Sequence, residues 1–137
     1  MRKTKKILFS LLLLACTYEM QAQQLYDRSG SYIGKYENGK LYDRSGGYIG
    51  KYESERIFDR SGSYLGYVSN DKFYDRSGSY KGYLSNNKLY DRSGTYLGYV
   101  SNGSVYDRSG SYIGRYNGSV PTAVVAMIYF YGIFSLR

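Results

Sequence analysis

The sequence predicts an all-β fold: a short closed barrel of six tandem β-hairpins, about twelve strands, around a C-terminal hydrophobic α-helix. Three observations predict it. Tyr/Phe-Asp-Arg-Ser-Gly-(Ser/Thr/Gly)-Tyr-x-Gly recurs every 16 residues, starting at Tyr26, Tyr42, Phe58, Tyr74, Tyr90 and Tyr106, without insertion or deletion. Each repeat holds two turn signals separated by short β-prone runs. After the last repeat the chain switches to an apolar stretch that does not recur. A fixed period sets architecture, and a motif present in every copy reads as scaffold before it reads as active site.

The first 22 residues read as a signal peptide. Arg2, Lys3, Lys5 and Lys6 precede an apolar run from Ile7 to Ala15, too short to span a bilayer as a stable helix. Two processing readings stand side by side. Met20-Gln21-Ala22 offers cleavage after Ala22, whereas Leu13-Leu14-Ala15-Cys16 resembles a lipobox, in which Cys16 would carry lipid. Either reading predicts export to the periplasm, the periphery of the outer membrane or the cell exterior. Cys16 is the single cysteine, which excludes an internal disulfide.

Residues 23–120 form the repeat region. In the unit Leu25 to Lys40, Asp27-Arg28-Ser29-Gly30 predicts a type I turn, with Asp bonding the backbone ahead and Gly in the left-handed region. Asn38-Gly39 predicts a type I′ hairpin turn. Asn70-Asp71, Asn86-Asn87 and Asn102-Gly103 keep that chemistry, and Ser54-Glu55 in the second copy is the weakest. Strict alternation then places Tyr32, Gly34 and Tyr36 on the inner face and Ile33 and Lys35 on the outer one. The inner face carries Gly at its centre in every copy: Gly34, Gly50, Gly66, Gly82, Gly98 and Gly114. A strand glycine marks a bend or something packed close against the backbone.

Residues 121–137 are the predicted plug. The segment from Ala123 to Tyr131 is apolar on every side and must be buried. Twelve strands about 4.8 Å apart, tilted by roughly 40°, leave a bore of about 12 Å, one helix wide. The competing arrangement is an open sheet with the tail as a membrane anchor.

Tandem units such as Tyr90-Asp91-Arg92-Ser93-Gly94 with Gly98-Tyr99-Val100, behind a leader and ahead of an apolar helix, resemble the β-flower proteins. The resemblance covers Leu25 to Arg137. It implies a small exported protein of the four-fold β-flower type, for which no catalytic residues are established. That fold is similar to the Tubby C-terminal and phospholipid-scramblase barrels, which implies membrane or lipid association. Six units depart from a four-fold count.

Composition narrows the chemistry. With no His, the chain lacks the commonest general base and metal ligand. Asp-Arg-Ser has no base fixed beside the serine, so the triplet reads as a turn rather than a nucleophile. The expectation is a non-enzymatic protein with no catalytic or metal site, no cofactor and no small-molecule substrate. Net charge is +8; four of the 19 basic and one of the 11 acidic residues precede Gln23, leaving 15 and 10, a net of +5. These charges are spread out, with no basic stripe for nucleic acid to follow. Two candidate surfaces remain. Closed hairpins would set Arg28, Arg44, Arg60, Arg76, Arg92 and Arg108 in a ring on one rim, able to meet membrane lipid phosphates or acidic glycans. Tyr67, Tyr83 and Tyr99 face outward in three consecutive units, a candidate aromatic patch for a cell-envelope glycan or a protein.

Overall fold

The computed structural model describes residues 23–136. The leader and Cys16 lie outside the described residues. Each repeat contributes two strands. These are β1 (Gln23–Asp27), β2 (Tyr32–Glu37), β3 (Lys40–Asp43), β4 (Tyr48–Glu53), β5 (Arg56–Asp59) and β6 (Tyr64–Ser69). They continue as β7 (Lys72–Asp75), β8 (Tyr80–Ser85), β9 (Lys88–Asp91), β10 (Tyr96–Ser101), β11 (Ser104–Asp107) and β12 (Tyr112–Tyr116), followed by helix α1 (Thr122–Tyr129). Every strand pairs antiparallel with its sequence neighbours, and β1 pairs with β12 to close the barrel. Leu25 opposes Tyr116 and Asp27 opposes Gly114 across this seam. Beyond the strand ends, Asn117 N–H donates to the Gln24 carbonyl at 3.0 Å and Gln24 N–H donates to Asn117 Oδ1 at 2.8 Å. Closure leaves no unpaired edge for another chain to extend.

Both predicted turns are present. In the first, Gly30 N–H donates to Asp27 O at 3.1 Å and Asp27 N–H to Ser31 O at 3.0 Å, with Gly30 at φ 86°. In the second, Asn38 and Gly39 take φ of 51° and 78°, as a type I′ turn requires. Ser54 and Glu55 are forced into the same geometry, at φ 51° and 66°, although neither residue type favours it. Replacing this pair by Asn-Gly should therefore stabilise the barrel by about 1 kcal/mol. In urea unfolding this would raise the midpoint with an unchanged slope; an unmoved midpoint would show that the second hairpin bears no turn strain.

One feature differs from the alternating pattern. Leu25 opposes Gly34 but Tyr26 opposes Tyr32, so Ile33 is an extra residue in β2. The same shift recurs between β3 and β4, β5 and β6, β7 and β8, β9 and β10, and β11 and β12. A β-bulge changes the facing of everything beyond it. Tyr32 therefore lies outward, its ring 6.0 Å from that of Tyr26. Ile33, Ile49, Leu65, Leu97 and Ile113 pack against the core instead of facing solvent. The expected facing of Tyr32 and Ile33 is thus reversed, while Gly34 and Tyr36 beyond the bulge face inward as the pattern predicts.

The interior belongs to the tail. Pro121 precedes α1 with its carbonyl accepting from Val124 at 2.9 Å. Val124, Val125, Ala126 and Met127 are at most 1% exposed, surrounded by one apolar residue from the first strand of each hairpin: Leu25, Leu41, Ile57, Phe73, Leu89 and Val105. The helix ends at Tyr129, well short of the whole 121–137 segment. The chain then continues as coil, with Phe134 and Leu136 buried, Gly132 and Ser135 exposed, and Gly132 at φ 60° permitting a change of direction.

The end of the helix and that coil meet the inward glycines in reverse order. Tyr129 packs where a Cβ on Gly114 would sit, Phe130 at Gly98, Tyr131 at Gly82, Phe134 at Gly50 and Leu136 at Gly34. Gly66 differs, its nearest neighbours being backbone atoms of Tyr74 and Asp75. Two of these seats are also hydrogen-bonded. Tyr129 Oη donates to Tyr26 O and Tyr131 Oη to Tyr90 O, each at 2.7 Å. Burial pushes both phenols far above their ordinary pKa, so they stay protonated donors.

Candidate binding surfaces

The strand–turn–strand repeat sets the Asp-Arg-Ser-Gly turns on one rim. Asp27 Oδ1 accepts from the backbone N–H of Ser29 at 2.9 Å and Ser31 at 3.0 Å, and from Ser29 Oγ at 2.7 Å. The two backbone bonds recur at Asp43, Asp59, Asp75, Asp91 and Asp107. Bonding to the charged form lowers a carboxyl pKa. The Ser77 hydroxyl and the Ser79 N–H bring Asp75 down to about 2. Asp59 is lowered chiefly by the Ser63 N–H and Asp107 chiefly by the Ser109 hydroxyl. The carboxylates of the motif, and the hydroxyls of Ser29, Ser61, Ser77 and Ser109, are thus engaged in holding turns.

Arg28, Arg44, Arg60, Arg76, Arg92 and Arg108 are all exposed on this rim. Each follows an Asp, and Arg28 also adds to the lowering of Asp107 in the adjoining hairpin across the seam. The rim consequently alternates in sign rather than forming a cationic ring. Beside it, an open pocket of about 690 Å³ lies between hairpins one and six and the tail. Ile33, Ile113, Ile128, Phe134 and Leu136 line it, with Arg28 and Ser29 contributing polar atoms. It falls where the tail's circuit of the glycines begins and ends. Among the described residues, no cluster of acidic, Cys or His side chains is arranged to hold a metal.

The outer wall is more distinctive. Tyr67, Tyr83 and Tyr99 do not stand alone. They stack on Tyr74, Tyr90 and Tyr106 across the strand pairs, with ring centroids 4.6, 4.6 and 4.7 Å apart and interplanar angles of 13°, 13° and 15°. The second ring of each pair then meets Tyr80, Tyr96 or Tyr112 at 5.8, 5.8 and 6.1 Å. Successive triads adjoin. Tyr80 and Tyr83 share β8, and Tyr96 and Tyr99 share β10. Nine tyrosines thereby form one continuous surface over β6–β12.

Ring orientation limits what this surface can hold. Parallel rings at the spacing of adjacent strands must stand on edge from the wall, since rings lying flat would overlap at that distance. Their faces cover one another. Outward they present edges and phenol hydroxyls.

The other half of the wall uses the same positions differently. Lys35 Nζ lies 5.2 Å from the Tyr42 ring centroid, Lys51 Nζ 5.0 Å from that of Phe58, and the Arg115 guanidinium 3.9 Å from that of Tyr26. Lys35 and Lys51 also pair with Glu37 and Glu53 at 3.1 and 3.2 Å. The barrel therefore has a tyrosine side and a cation–π side. Sequence reading found three members of the tyrosine surface. The repeated first-strand tyrosine, opposite each of them across a regular ladder, and the tyrosine after the turn were its missing signal, and the second needed the bulge to be placed.

A family model described as the 5-fold β-flower protein matches residues 22–132. No significant match was found among curated proteins or solved structures, so the likeness to Tubby-type barrels gains no support. The family description is five-fold where the resemblance implied four-fold, and this chain closes six hairpins, as its repeat count predicts. The repeat, the closed wall and the matched family agree: this chain belongs to the β-flower family and closes six hairpins around its own C-terminal segment.

Proposed function

We propose that this protein is a non-enzymatic, exported component of the cell envelope that binds an envelope polymer through its tyrosine wall. The observation that carries the reading is the continuous surface of nine tyrosines over β6–β12, on the outside of a closed scaffold. Edge-on phenols offer donors and acceptors to hydroxyl-rich ligands at low entropic cost. The non-enzymatic part is supported by the turn carboxylates, which accept from backbone N–H groups of their own turns, and by the Ser29, Ser61, Ser77 and Ser109 hydroxyls, which donate to those carboxylates. Membrane association through the tail is less well supported, because its apolar residues form the barrel core. Lipid contact would fall instead to the exposed rim arginines.

Co-sedimentation with insoluble envelope polysaccharide tests the reading. Tyr83→Ser and Tyr99→Ser together should reduce the bound fraction severalfold with melting still cooperative. Retention equal to wild type would reject the wall as the binding surface.

A further inference from the structure

Cations interleave the tyrosine wall in fixed register. Arg56 opposes Tyr67, Lys72 opposes Tyr83, and Lys88 opposes Tyr99. All three cations are exposed. They occupy equivalent places on β5, β7 and β9, two strands apart, which spaces them on the order of 10 Å around the wall. Their counter-charges differ. Arg56 faces Glu53 across the β4–β5 pair, and Glu53 itself holds Lys51. Lys72 and Lys88 face Ser69 and Ser85, with Asp71 the acidic residue next to Lys72 in the chain.

We propose that the wall from β5 to β10 binds an acidic polysaccharide carrying one carboxylate or phosphate at about the interval of these cations. The phenol hydroxyls between them would bond the intervening sugar hydroxyls. This rests on the tyrosine wall being a binding surface, and adds the charge and spacing of the ligand. The cations span five of the twelve strands of a closed wall, β5 to β9, so a chain that bends can reach all of them while a flat bilayer cannot. Among the described residues, the one large hydrophobic side chain that is exposed is Tyr64, at 36%, which leaves little to insert between lipids. Single-stranded nucleic acid needs open ring faces for its bases. Here the stacked partner takes one face of Tyr67, Tyr83 and Tyr99, and Arg56, Lys72 and Lys88 stand opposite them on the other side.

Calorimetric titration of the mature chain with hyaluronate, which has one carboxylate per two sugars, tests the proposal against dextran, anionic phospholipid vesicles and oligothymidylate. Hyaluronate should bind at least tenfold more tightly than dextran at low salt and weaken about tenfold or more at high salt. Lys72→Gln with Lys88→Gln should produce a similar loss without changing the melting temperature. Equal binding of hyaluronate and dextran, both lost in the tyrosine variants, would overturn the acidic class while leaving the wall as a binding surface. A preference for vesicles or oligothymidylate, or no binding of hyaluronate, would also overturn it.

Discussion

Gly98→Ala should destabilise the barrel by about 3 kcal/mol or more, although it adds a single methyl group. The new Cβ would fall 2.5 Å from Phe130 Cε1 and closer still to the carbonyl oxygen of Tyr106. The phenyl ring has some freedom to move. The carbonyl belongs to the adjoining strand and is fixed by the ladder. Gly98 also sits at φ 152°, where an L side chain adds strain. Gly94→Ala in the preceding turn is the matched control, with φ 83° but open space around its Cβ, and should cost about 1 kcal/mol. Comparing the two by urea unfolding separates close packing from backbone conformation. Equal losses would mean that the inward glycine is required for its dihedral angle alone. Full rescue of Gly98→Ala by Phe130→Ala would make the ring the obstacle and absolve the carbonyl.

Removing residues 121–137 should abolish folding. Val124, Val125, Met127, Phe134 and Leu136 are each at most 4% exposed. At roughly 2 kcal/mol apiece they contribute about 10 kcal/mol, which is comparable to the entire stability of a small domain. Their loss would also leave the inward faces of every hairpin around an unfilled bore. Met127→Ala is the graded counterpart, expected to cost about 3 kcal/mol through the cavity it leaves. Near-UV circular dichroism of the tyrosines, together with cooperative melting, measures both. A truncated chain that stays monomeric, with wild-type spectra and a cooperative transition, would show that the wall holds its shape without a core.

These expectations separate what the sequence made legible from what it did not. The turns were readable because their chemistry is local: Asp27 bonds two residues within its own loop, and Asn38-Gly39 favours left-handed geometry by itself. The inward direction of Gly34 and Tyr36 followed from alternation within an unbroken stretch. Alternation failed at Tyr32 and Ile33, since a bulge leaves no mark when the extra residue is as apolar as its surroundings. Lys81 is the copy that could have raised the question. It occupies the Ile33 position, is exposed and lies 3.4 Å from Asp75 at the turn rim, so that position sits near an end of the wall. The helix boundary was hidden for another reason. Hydrophobicity reports burial, and Phe134 and Leu136 are buried, with Phe130, Tyr131 and Ile133 packed against the core, without being helical. Of the candidate surfaces, closure sets the rim arginines on one end of the wall, and the Asp that offsets each of them is written beside it in the sequence.

The reverse-order seating of Tyr129, Phe130, Tyr131, Phe134 and Leu136 makes the tail a gauge of hairpin number. Inserting or deleting one 16-residue unit would change the circumference by two strands and move every later seat by one position, while the tail would keep its length. Losing a unit whose glycine seats a tail residue would leave that residue with nothing to receive it, whereas the unit that carries Gly66, whose nearest neighbours are backbone atoms, is the one the tail registers least. Tandem repeats readily gain and lose whole units, and on the wall alone such a change would go unnoticed. The single segment that does not repeat is what counts the ones that do.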